Sequence, residues 1–288
     1  MSMTVTQRWC CVWPIVAATL CVFASAHATT APAPTKKPQR IVSTNLCIDQ
    51  LLLLMVPRER IIGLSYLTGR NDLSNVPELA QGIPTVHANA EEVLLMQPDL
   101  ILTSTYTNRA TMKLMQKFGV PVVTLDTHIK LDGVRQQLRE LGAAVGEKAR
   151  AEELINQLDF PPLPATNSPI TALSYSTGGS VDGANTLVDS MMAEAGLLNI
   201  ARVTGLKDWG YFPLEKLVWH PPALLVTYDY RRTAPSMTKR LLEHPALHQT
   251  KTNRIVLPAP LVLCPGPWNA QAVQRLRAAR LFAQENPL

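Results

Sequence analysis

One stretch of this chain occurs twice. Glu91-Glu92-Val93-Leu94-Leu95-Met96-Gln97-Pro98-Asp99-Leu100-Ile101-Leu102-Thr103 aligns without a gap with Glu215-Lys216-Leu217-Val218-Trp219-His220-Pro221-Pro222-Ala223-Leu224-Leu225-Val226-Thr227, at an offset of 124 residues. Each copy opens on a Glu, reaches a Pro seven residues later, and enters an apolar run two residues beyond it. Proline ends a helix because it has no amide donor and its ring clashes with the preceding turn, and a short apolar run after it suits a strand buried on both faces. Tyr106 and Tyr230 keep the same offset. Self-similarity of this kind divides the chain into two related halves.

The pattern around the repeat is α/β. Arg40 to Ser43, Ile61 to Ser65, Leu100 to Ser104 and Val120 to Leu125 read as strands, separated by helical stretches at Ile48 to Met55, Ala90 to Met96 and Arg109 to Phe118. Alternation of this type predicts parallel strands covered by helices. A helical region then runs from Leu131 to Leu158 with a break near Gly146, and ends at the proline-rich Phe160 to Pro164. Alternation resumes with strands at Thr171 to Ser174, Leu224 to Thr227 and Arg254 to Leu257, and helices at Thr186 to Ala195, Ser236 to Glu243 and Ala270 to Phe282. The expected organisation is a first lobe over 39–128, a connecting helical region over 129–165 and a second lobe over 166–288.

The N-terminus reads as a secretory signal: Arg8 supplies a basic start, Trp9 to Ala26 an uncharged apolar stretch, and Ala26-His27-Ala28 the small-residue ending. Cleavage after Ala28 is expected, with residues 29–38, rich in Thr, Ala, Pro and Lys, as a flexible leader. Removing Arg8 leaves 26 basic and 22 acidic residues, and the positives are scattered rather than gathered in a stripe. That distribution argues against nucleic acid as a partner. Cys10, Cys11 and Cys21 leave with the signal, so Cys47 and Cys264 remain in an oxidising compartment. They lie in opposite halves; either one disulfide ties the halves together or both persist as buried thiols.

Arg40-Ile41-Val42-Ser43, the Glu-x6-Pro-x-Leu strand entry in each half and the helix between them resemble periplasmic binding proteins of ABC transporters for ferric siderophores, vitamin B12 and haem. The resemblance covers most of residues 39 to 283. It implies two Rossmann-like lobes joined by a helix, a ligand cleft between them, and a monomer that delivers its ligand to an inner-membrane ABC transporter permease from the periplasm. It also implies that Glu91 and Glu215, one per lobe, dock onto arginines of that permease. Read from the residues alone, a Glu in a first helical turn stabilises the helix dipole.

Open α/β sheets bind ligands at the C-terminal ends of their strands. The candidates there are Tyr66, Tyr106, Arg109, Tyr228, Tyr230, Arg231, Arg232 and Trp268. Trp209 is added because it matches the position of a ligand-facing Trp in the vitamin B12 binder of the family. Aromatic rings bury large flat ligands, and Arg pairs with carboxylate or catecholate oxygens, which favours an anionic ferric siderophore over cobalamin. His87, His128, His220, His244 and His248 are dispersed, so no metal site is expected. Ser176-Thr177-Gly178-Gly179-Ser180 reads as a turn and lacks a nucleotide-binding pattern. A secreted α/β enzyme is the alternative function; no Gly-x-Ser-x-Gly elbow and no paired-carboxylate or Ser-His arrangement supports it, so neither catalytic residues nor cofactors are expected.

Overall fold

The first lobe comprises β1 (Ile41–Ser43), α1 (Leu46–Met55), β2 (Ile61–Ser65), β3 (Thr85–Val86), α2 (Ala90–Leu95), β4 (Leu100–Ser104), α3 (Arg109–Lys117) and β5 (Val122–Leu125). Its strands are all parallel, in the order β3-β2-β1-β4-β5. Two helices follow, α4 (Leu131–Val145) and α5 (Lys148–Asn156). The second lobe contains β6 (Ile170–Ser174), β7 (Ser180–Asp182), α6 (Leu187–Glu194), β8 (Leu197–Asn199), α7 (Ile200–Val203), β9 (Trp209–Tyr211) and α8 (Leu214–Trp219). It ends with β10 (Leu224–Asp229), α9 (Pro245–Gln249), β11 (Asn253–Pro258), α10 (Pro260–Leu263) and α11 (Asn269–Glu285). Its main sheet is parallel, in the order β11-β10-β6-β8, and β7 and β9 form a separate antiparallel ribbon.

This computed structural model describes residues 36–107, 109–126, 130–163, 169–229 and 241–287. The expected signal, most of the leader, His128, Tyr230, Arg231, Arg232 and the greater part of the helix expected from Ser236 lie outside them, as does the side chain of Arg109. Of that last helix, the described residues from Leu241 to Glu243 form a tight turn rather than α-helix.

The sequence repeat is a structural repeat. α2 leads into β4 and α8 into β10 at the same offset, and β4 lies beside β1 as β10 lies beside β6. Strand side chains alternate between faces. Leu100 and Leu102 of β4, with Leu224 and Val226 of β10, enter one apolar cluster that runs through both lobes and takes in α1, α4, α6 and α11. Ile101 and Leu225 point the other way into two separate clusters, one per lobe, which bury Val93 of α2 and Leu217 of α8. Helices therefore cover both faces of each sheet, but only one face is shared between the lobes.

α4 ends where Gly146 takes a left-handed φ of 76°, and a Cβ there would lie 2.8 Å from the Lys37 side chain. Next to it, Glu147 pairs with Lys37 at 3.0 Å and Arg60 at 2.5 Å. Burial alone raises the Glu147 pKa, but these two cations outweigh it and the net shift is downward.

Cys47 and Cys264, 217 residues apart, form a disulfide between the lobes. Both ends are anchored. Asn45 caps α1 by accepting from the amides of Cys47 and Ile48, and donates to Ser104 Oγ at 3.1 Å. The Cys264 carbonyl accepts from Trp268 Nε1 at 2.6 Å and from Asn269 Nδ2 at 3.1 Å. Trp268, expected in a ligand-facing loop, is thus a core residue, only 9% exposed, whose polar edge is occupied by the cysteine it supports. Beside the bridge, Asn75 donates to the Pro260 carbonyl at 2.8 Å and is held from behind by Gln50.

A bond closing so long a loop restricts the unfolded chain, while the shared core still joins the lobes without it. Replacing both cysteines by serine is expected to lower stability by about 2–4 kcal/mol in urea unfolding with an unchanged far-ultraviolet spectrum, and a reductant should have no further effect on the variant.

Candidate functional site

Beside the shared core, the lobes also meet through segments leaving the C-terminal ends of strands: Cys47 after β1, Asn75 after β2, and Pro260 and Cys264 after β11. The same ends carry exposed aromatic side chains. Tyr66 directly follows β2 and is half exposed. The segment bearing it is fastened by Asp49 of α1, whose Oδ2 accepts from the Ser65 amide at 2.9 Å and from the Thr68 hydroxyl. Asp49 is fully buried, and among the described residues neither its Oδ1 nor the Ser43 hydroxyl oxygen has a hydrogen-bond partner. Burial, only partly offset by the hydrogen bonds from Thr68 and Ser65, pushes its pKa from 3.8 up to about 7.

The Tyr66 ring stacks on His87, with centroids 4.7 Å apart. His87 is in turn positioned by Glu92, which accepts from the His87 amide at 2.8 Å and lies 3.5 Å from its ring Nδ1. Asn89 caps α2 through the Glu92 amide. The carboxylate working at the start of this helix is therefore that of Glu92, and Glu91 is exposed with no ion-pair partner among the described residues. Glu215 is likewise exposed and unpaired in the first turn of α8. Tyr106 sits on the turn after β4, which is held by a hydroxyl chain from Thr44 to Thr103 to Thr107 at 3.1 and 2.7 Å.

In the second lobe, the ribbon of β7 and β9 lies beyond the end of β6. Asp182 and Trp209 are paired across it. Asp182 is buried, its Oδ2 accepts from the Tyr228 hydroxyl at 2.8 Å, and the Trp209 indole also donates to its carboxylate. Burial raises its pKa against the hydrogen bonds from Tyr228, Ser174 and Trp209. Trp209 nevertheless remains 59% exposed. Tyr211, two residues along the same strand, is exposed as well, and Tyr228 is half buried.

The structure therefore brings Tyr66, Tyr106 and Trp209 to strand ends as exposed rings, ties Tyr228 to the carboxylate that also holds Trp209, and places Trp268 in the core. Arg109 opens α3. Sequence reasoning did not single out Asp49, Asp182 or Tyr211; the last was legible from its two-residue spacing to Trp209 on a strand. A polar cavity of about 440 Å³ also spans the lobes, between Asn75, Glu78 and Gln81 on one side and Pro260, Leu261 and Gln271 on the other. None of the exposed aromatic residues lines it. Among the described residues no group of three or more His, Cys, Asp or Glu is placed to hold a metal, and no helix is long and apolar enough to cross a membrane.

Two parallel α/β lobes on one shared core, with aromatic residues at the strand ends, define a binding protein of the two-lobed class. Residues 41–255 match the family described as periplasmic binding protein, and the chain belongs to that family. The family consists of solute-binding components of ABC transporters, which places the chain's work in the periplasm. In structure it is similar to the periplasmic haem-binding protein RhuT from Roseiflexus sp. RS-1, with a TM-score of 0.69 and 24% identity over 85% of this chain and 98% of that one. A periplasmic haem-binding protein from Pseudomonas aeruginosa gives 0.64 and 23% over 84% and 92%. The vitamin B12-binding protein BtuF of Vibrio cholerae gives 0.65 and 14% over 87% and 99%. At such identities the likeness is one of fold. No curated protein matches the chain.

The raised pKa of Asp49 has a definite sign in stability. Below 3.8 the carboxyl is protonated whether the chain is folded or not; between 3.8 and about 7 the unfolded chain ionises while the folded one keeps its proton. Its contribution therefore falls as pH rises through that window, by about 1.4 kcal/mol per pH unit, and levels off above it. Asp49→Asn keeps an acceptor for Ser65 and Thr68 and has no proton to lose. The variant is expected to match the wild type near pH 4 and exceed it at pH 8, as measured by chemical unfolding across that range.

Proposed function

We propose that this protein captures a large metal-containing ligand of the ferric siderophore, corrinoid or haem type between its lobes and hands it to an inner-membrane ABC permease. The observation that carries this reading is the presence, at strand ends of both lobes, of exposed rings mounted on buried polar anchors: Tyr66 over Asp49, and Trp209 over Asp182. Rings held in this way offer wide apolar contact at little cost in side-chain entropy, which suits a broad, flat ligand. Two of the solved proteins of like fold are a haem-binding and a vitamin B12-binding protein, in keeping with such a cargo. Arg109, Arg231 and Arg232 belong to the proposed ligand set as partners for anionic groups on a chelate. The protein reaches the periplasm through cleavage of its signal after Ala28, so N-terminal sequencing of the exported chain should begin at Thr29.

Docking falls to Glu91 and Glu215. Exposed, unpaired carboxylates at equivalent places on two lobes steer and orient a cationic partner. Reversing both, as Glu91→Lys with Glu215→Lys, should abolish uptake and leave ligand affinity intact; loss of ligand binding would count against the assignment.

Titration with ferric chelates, cobalamin and haem, followed by tryptophan fluorescence, tests the ligand class. Saturable quenching by one of them is expected, with the ligand recovered unchanged, and Trp209→Ala should weaken binding about tenfold or more. Conversion of the ligand would instead favour an enzyme.

A further inference from the structure

The helices α2 and α8 match in more than their glutamates. Leu95 and Trp219, which end the two helices, stand at the same 124-residue offset and are 79% and 75% exposed. Midway between each glutamate and its apolar residue, Val93 and Leu217 are fully buried in the corresponding clusters of their lobes. Both helices therefore rest on their sheets through the same position and present the same outer face. Residues four apart share a helical face, so Glu91 and Leu95 project together, as do Glu215 and Trp219.

A single exposed leucine or tryptophan on a protein surface needs no explanation. Here the exposure recurs at repeat-related positions, each time one helical turn from a carboxylate with no ion-pair partner among the described residues. Neither side chain is needed to stop its helix, because Pro98 and Pro222 follow in both copies. The buried partners Val93 and Leu217 already hold the helices down.

We propose that Leu95 and Trp219 are the apolar anchors of the docking surface whose charged members are Glu91 and Glu215. The partner is a permease dimer that offers, on each of its two subunits, an apolar recess beside a cationic side chain. The inference rests on the docking reading given above and extends it from charge to shape. Two repeat-related pairs of acidic and apolar groups, one pair per lobe, match a partner that offers two equivalent subunits. Within each pair the roles divide: the carboxylate speeds and orients the encounter, and the desolvated apolar group slows release. Since Trp buries more surface than Leu, the second lobe holds on more strongly.

The test measures binding of the ligand-loaded protein to its ABC permease complex in lipid nanodiscs. Leu95→Ser and Trp219→Ser are expected to weaken binding, the latter by about tenfold, and the combined variant more than either. This loss should be equal at low and high salt, whereas Glu91→Gln with Glu215→Gln should weaken binding chiefly at low salt. Trp219→Phe should restore most of the affinity, and all variants should keep the wild-type melting temperature and ligand affinity. Unchanged binding of the combined serine variant, with binding of the glutamine pair weakened, overturns the proposal and leaves the charged docking intact. Unchanged binding of both overturns the docking reading and the proposal together.

Discussion

The two lobes are held by a single apolar layer. Because strand side chains alternate, Leu100, Leu102, Leu224 and Val226 of β4 and β10 are committed to a cluster common to both lobes, and Ile101 and Leu225 to cores that each lobe owns alone. α1, α4, α6 and α11 form the backing of that common cluster. An interface of this kind, apolar and continuous with the domain cores, resists the large swings expected of lobes joined only by a linker. The Cys47–Cys264 bridge and the Asn75 contact to Pro260 add a fixed point beside it.

Each lobe pays for its exposed ring with a buried acid. Asp49 and Asp182 are both withdrawn from water, and in both the pKa is raised because the charged form is desolvated. In exchange, each fixes backbone or side-chain donors next to an aromatic residue: the Ser65 amide and Thr68 hydroxyl around Tyr66, and the Tyr228 hydroxyl and Trp209 indole across the ribbon. The two arrangements are not copies of one another, since Asp49 lies on a helix and Asp182 on a strand. The lobes have reached the same physical end, a rigid ring facing solvent, by different local means.

How far these features could be read beforehand depended on whether their physics is local. The helix, proline and buried strand of the repeat are written in consecutive residues, and both copies fold in register. The break at Gly146 likewise follows from a single residue's freedom to take positive φ. β3, β8 and the ribbon of β7 and β9 were missed because two or three residues carry too little periodicity to separate a strand from a loop. The disulfide stayed undecided because nothing in a 217-residue separation says that two side chains meet. Trp268 was misplaced for a related reason: Pro-Gly-Pro before it reads as an open loop, and only the fold shows the indole turned inward to the Cys264 carbonyl. Asp49 and Asp182 gave no signal at all, each being a lone acidic residue in its stretch of sequence.

Glu91 and Glu92 show how adjacent, chemically identical residues acquire separate roles. Helical geometry turns neighbours about 100° apart, so one carboxylate can face its own N-terminal turn while the other faces outward. Glu92 takes the inward position, where the His87 amide and ring and the Asn89 cap occupy it. His87 is then fixed against the Tyr66 ring. Glu91 stands one residue from this chain of contacts and shares its outer face with Leu95. In the first lobe, therefore, the helix that carries the surface assigned to the transporter also positions, through Glu92, the His87 ring on which Tyr66 stacks. The contacts run from the Tyr66 ring to His87 and from His87 to Glu92, the residue adjoining Glu91.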